Sequence, residues 1–175
     1  MQAIFSVAAI VASSVIAILV PLHVRNRDAR DSVQRSIANT VILVGITRSL
    51  WEGLFGVLKS NEFSEHTRDI FQPQVASARS VAAQVPHSVM MGEAFEVVAG
   101  CSMVIEVFVQ TINRLCDANE IDAVSRRIPF ADVFGDLDRY EEMTKDLQPQ
   151  KVDGMWMIAT DEEVAEAIRQ TERSH

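Results

Sequence analysis

The 175 residues carry a net charge of −8, are 48% hydrophobic and have a mean hydropathy of +0.11. Nine bases balance nine acids in residues 1–116, whereas residues 117–175 hold seven bases against fifteen acids. All of the net charge therefore belongs to the last third, an acidic region that argues against nucleic acid as a partner, since phosphate binding needs Lys and Arg footprints.

Residues 3–24 contain no Asp, Glu, Lys or Arg, and twelve of them are Ile, Leu, Val or Phe. As a helix this stretch reaches roughly 33 Å, enough to cross a hydrocarbon core of about 30 Å. A cleaved signal peptide fits less well. Met1 and Gln2 give no basic n-region, the apolar run exceeds about 7–15 residues, and Pro21, Leu22, His23 and Val24 offer no small-x-small cleavage site. The sequence thus predicts a transmembrane anchor over residues 1–24. Within it, Ala9, Ser13 and Ala17 recur at i, i+4 and i+8, a spacing that lets transmembrane helices approach closely and self-associate. A homo-oligomer through this helix is one expectation.

A basic segment, residues 25–36, follows with Arg25, Arg27, Arg30 and Arg35 opposed by Asp28 and Asp31. The positive-inside rule then places the N-terminus outside and the remainder in the cytoplasm. The same arginines would lie beside the headgroups of the lipid bilayer.

Residues 37–147 read as an antiparallel helical bundle. Ile37, Val41, Val44, Trp51, Phe55 and Leu58 recur at helical spacing, which predicts a helix over residues 33–58 that continues from the anchor. Arg48 and Glu52 argue against a second span there, and Gly45, Gly53 and Gly56 suggest close approach by a neighbouring element. Pro73 suits the first turn of the next helix, carried by Phe71, Val75, Ala78, Ala82 and Val85. Ser88 caps a long helix to Cys116. Its apolar face holds Met90, Ala94, Val97, Cys101, Val104 or Ile105, Phe108, Ile112 and Leu115, opposite Glu96, Gln110 and Arg114. That helix is too amphipathic to be read as a span. Residues 119–127 form a short helix, and Phe130, Val133, Phe134, Leu137, Tyr140 and Leu147 mark another after Pro129.

Residues 148–175 form an acidic C-terminal segment. Gln148, Pro149 and Gln150 break the helical pattern, and residues 151–159 read as extended around Met155, Trp156, Met157 and Ile158. Met and Trp are enriched at interface hot spots, so these four residues are the candidate protein-binding cluster, with packing onto the bundle as the competing reading. Thr160 and Glu163 form a capping box for a last helix over residues 161–172.

No assembled chemistry is visible. Glu62, Glu65, His66 and Asp69 have helix-face spacing but match no metal-ligand pattern, and His87 beside Ser88 reads as a turn. Cys101 and Cys116 lack Cys/His spacing for zinc or a disulfide framework. No phosphate-cradling loop, zinc-protease motif or nucleophile elbow occurs. The sequence therefore implies an all-α protein, one transmembrane helix followed by a cytoplasmic bundle, acting as a protein-interaction or scaffold module. No cofactor, metal or catalytic residue is indicated. The alternatives are a sensor holding a small molecule between bundle helices and an enzyme without a recognisable motif.

Overall fold

The structure is a computed structural model that describes residues 2–64, 66–118 and 120–173, with side chains from Val24 onward. Ala9, Ser13 and Ala17 are outside the residues whose side chains are described, and Glu65 lies outside the described residues altogether. The elements in chain order are α1 (Gln2–Lys59), α2 (Thr67–Ala83), a 3₁₀ turn (His87–Val89), α3 (Gly92–Cys116), α4 (Ile121–Ser125), α5 (Phe130–Lys145), β1 (Gln148–Val152), β2 (Met155–Ala159) and α6 (Asp161–Arg173). The chain is thus mostly helical, as its periodicity predicts.

The contacts give each helix its course. α1 is 58 residues long, roughly 87 Å at 1.5 Å per residue. α2 returns along it, from Phe71 beside Gly53 to Gln84, whose side chain meets Asn39 at 3.5 Å. α3 starts beside β2, where the Met91 N–H donates to the Ile158 carbonyl, and reaches Trp51 with Phe108. α5 runs back from Phe130, which packs on Phe55, to Asp138 and Glu141, which bind Arg48.

Between these four helices lies the core. Trp51, Leu43, Leu50, Leu54, Ile105 and Phe108 are almost completely buried. Phe108 meets Trp51 and Phe71 edge-on, at centroid distances of 5.5 and 5.3 Å, and so joins α1, α2 and α3. Edge-to-face geometry sets the positive ring edge against the negative face and adds to the burial energy. Every residue named for the apolar face of α3 is buried, while Glu96, Gln110 and Arg114 face outward.

Four local expectations are corrected. Pro73 sits well inside α2 rather than in its first turn, because the helix already begins at Thr67. The Thr67 hydroxyl accepts from the Ser64 N–H at 2.9 Å, a turn that starts the helix early. Ser88 caps nothing: it lies in the 3₁₀ turn, and α3 starts at Gly92. Of the three α1 glycines only Gly53 is approached, by the Phe71 ring; Gly45 and Gly56 face open space. Residues 148–150 do more than break a helix, since they belong to β1, paired antiparallel with β2 from Gln148↔Ala159 to Val152↔Met155. Asp153 and Gly154 turn the hairpin with φ of 49° and 84°. Positive φ at both central residues is what a tight two-residue turn with the strands' own twist requires.

The glycine that matters most for packing is Gly100, on the face of α3 turned to α5. A Cβ there would overlap the Tyr140 hydroxyl and ring. Gly100→Ala is expected to destabilise by about 1–3 kcal/mol through overpacking. Thermal unfolding would show this as a lower midpoint. Adding Tyr140→Phe, which removes the atom overlapped most closely, should recover part of the loss.

Candidate functional site

Two clusters that the sequence holds far apart meet on one surface. The first is the start of the described part of α1, where Arg25, Arg27, Arg30 and Arg35 are all exposed. Arg27 pairs with Asp31 one helical turn on, at 3.9 Å, and the Arg35 Nε donates to the Asp31 carbonyl at 3.3 Å. Both interactions are local and solvent-facing, so they shape the helix surface more than they stabilise it.

The second cluster is β2, and strand geometry divides it. Successive side chains alternate between faces, so the four residues cannot act as one patch. Ile158 is fully buried and bridges Met90, Met157 is half-buried, and Met155 is 65% exposed beside the hairpin turn. Trp156 turns to α1. Its Nε1–H donates to the Asn26 Oδ1 at 2.7 Å, and the Arg30 guanidinium lies 5.5 Å from its ring centroid. The amide satisfies the indole's only donor, and the cation sits over the negative face of the ring. Arg30 and Trp156 are thus brought together, whereas Arg27 and Arg35 engage Asp31.

Sequence reasoning missed Asn26 and strand β1. Asn26 has no pattern that announces it. The hairpin did have a signal, since Asp followed by Gly between short extended stretches specifies this turn.

Glu163 has a role beyond the expected capping box. Its Oε2 accepts from the Thr160 N–H at 2.9 Å while the Thr160 hydroxyl accepts from the Glu163 N–H at 3.3 Å. Its Oε1 also accepts from the Glu93 N–H at 2.8 Å, at the first turn of α3. One carboxylate therefore caps two helix N-termini and ties α6 to α3. Burial, and then the nearby Glu163, push the Glu93 carboxyl above its ordinary range.

Among the described residues, the other candidate side chains are placed apart from one another. Cys101 is buried and its thiol is pushed up to about 12, chiefly by burial, so it stays protonated and unreactive. His87 packs against the Phe95 ring at 5.8 Å. Among the described residues no three His, Cys, Asp or Glu side chains converge on a metal position. A groove of about 410 Å³ between α2 and α3 has Phe71, Val75 and Phe108 as its floor, with Arg68 and Arg79 in its walls. Arg79 is already held there by Glu106 at 2.6 Å.

Two described stretches, residues Val24–Lys59 of α1 and α3, each contain an 18-residue window of mean hydropathy 1.6 and are long and apolar enough to cross a membrane by length and composition. Part of each is buried within the fold, in the core described above. Comparison with known proteins returned no match: no family model, no curated protein and no solved structure aligns with the chain.

Proposed function

We propose that the chain is a single-pass membrane protein with a cytoplasmic antiparallel bundle that works by binding a protein partner, without chemistry of its own. The observation that carries this reading is the continuity of α1. One unbroken helix holds the charge-free residues 3–24 and then supplies Leu43, Leu50, Trp51 and Leu54 to the core. An anchor that is also a core helix fixes the bundle at the membrane without a flexible linker. A single span is favoured because Arg48 is engaged by Glu52, Asp138 and Glu141, and a charged network of this kind is costly in hydrocarbon.

A protein partner is favoured by the outer face of α3. Phe95, Ala99, Met103 and Val107 recur every four residues there and are all exposed. Contiguous exposed apolar residues on a soluble surface mark interaction sites. The runner-up, a ligand held between helices, draws on the α2–α3 groove with its two arginines.

Topology is the first thing to test. A reporter fused to the C-terminus should sediment with membranes and be active only if cytoplasmic. Protease added to sealed cells should leave it intact. A soluble or exported reporter overturns the reading.

A further inference from the structure

We infer that the tip of the β1–β2 hairpin is a second membrane contact, resting on the phospholipid headgroups beside the anchor. The inference relies on residues 3–24 spanning the bilayer. The position of the tip follows from the contacts along α1. α5 passes Phe55 and then Arg48 on its way toward the start of the helix, and β1 follows it. β2 then returns. Trp156 lies against Asn26 and Arg30, whereas Ile158, two residues on, lies against Met90. The loop leading to Met90 in turn borders residues 32–39 of α1, through Gln84 and Pro86. The hairpin axis therefore runs along α1, with its tip directed at the anchor. A strand rises about 3.3 Å per residue and a helix 1.5 Å. Going back from Trp156 by one or two residues brings Met155 and Gly154 level with about Val24 to Asn26, where the charge-free segment ends.

The side chains suit that depth. Met155 is the most exposed apolar residue of the hairpin, at 65%. Trp156, half-buried beside it, is the amphipathic residue type that concentrates at headgroup level. The exposed charges of the segments that meet here are Arg25, Arg27, Arg30 and Lys151, against Asp28, Asp31 and Asp153. One net positive charge is too little for a polybasic site, so burial of Met155 and the edge of Trp156 supplies most of the attraction. The contact acts only because the anchor keeps it close to the lipid, and it fixes how the bundle leans and turns about the helix.

The test uses the full chain in vesicles of phosphatidylcholine with phosphatidylglycerol. Environment-sensitive fluorophores are placed by Met155→Cys, by Glu120→Cys at the far end of the bundle, and by Ser13→Cys in the anchor, each in a Cys116→Ser background. The Met155 probe should show blue-shifted emission and severalfold weaker iodide quenching than the Glu120 probe. It should also be quenched by lipids labelled near the headgroup, while the Ser13 probe is quenched by lipids labelled deep in the chains. A quenched Ser13 probe with a Met155 probe as iodide-accessible as Glu120 overturns the foot and leaves the anchor standing. A Met155 probe shielded in native membranes but not in vesicles overturns it in favour of a protein contact. An unquenched Ser13 probe removes the anchor and the foot together.

Discussion

Phe108→Ala should lower stability by about 3–5 kcal/mol, the cost of emptying a large aromatic site in a packed core. Phe108 is fully enclosed, with Trp51 edge-on from α1 and Phe71 edge-on from α2. Its removal opens a cavity where three helices share a ring contact, and neither neighbour can fill it without leaving its own partners. Trp51, for instance, also meets Phe130 at 5.8 Å. For a chain of this size each kcal/mol moves the thermal midpoint by roughly 2–4 °C, so a fall of about 6–20 °C is expected. Circular dichroism of the detergent-solubilised chain would measure it. Met103→Ala, on the same helix but facing outward, should stay within about 0.5 kcal/mol. If the two variants melted alike, Phe108 would not be at the centre of the core.

Glu163→Ala comes second in size and separates two roles of one side chain. Each helix cap is worth about 0.5–2 kcal/mol, and this carboxylate serves α6 through one oxygen and α3 through the other. Thr160→Ala removes only the hydroxyl half of the α6 box. Denaturant unfolding should therefore show a clearly larger loss for Glu163→Ala than for Thr160→Ala. Glu163→Gln, which keeps one carbonyl acceptor, should fall between them. It should also relax the Glu93 carboxyl, which burial and Glu163 together hold high, toward its ordinary pKa. Equal losses for Glu163→Ala and Thr160→Ala would mean that the bond to α3 contributes nothing.

What the sequence discloses and what it hides follow one physical division. Apolar side chains at regular spacing report a buried face because burial on a helix is a local pattern, and most of the inner face of α3 is legible in this way, though not Val98 or Gly100. The capping box was legible for the same reason: Thr160 and Glu163 are three residues apart. Contacts between distant segments leave no such trace. Nothing in the sequence links Asn26 to Trp156, Arg48 to Asp138, Gly100 to Tyr140 or Glu163 to the start of α3. Strand β1 was hidden differently. Gln148, Pro149, Gln150 and Lys151 have no alternation of polarity, and the strand exists because its partner and its turn hold it. Pro73 shows the reverse weakness: proline suits a first turn, yet here the helix and its buried face of Phe71, Val75 and Ala78 begin before it.

The bond between Trp156 and Asn26 joins residues 130 positions apart. Synthesis runs from the N-terminus, so residues 3–24 and the part of α1 that follows leave the ribosome long before the hairpin that meets Asn26. In the proposed topology the first 24 residues are already committed to the bilayer while most of the chain is still to be made. A contact beside the membrane then has to wait for late synthesis, and closing it brings the hairpin back to where the charge-free segment ends.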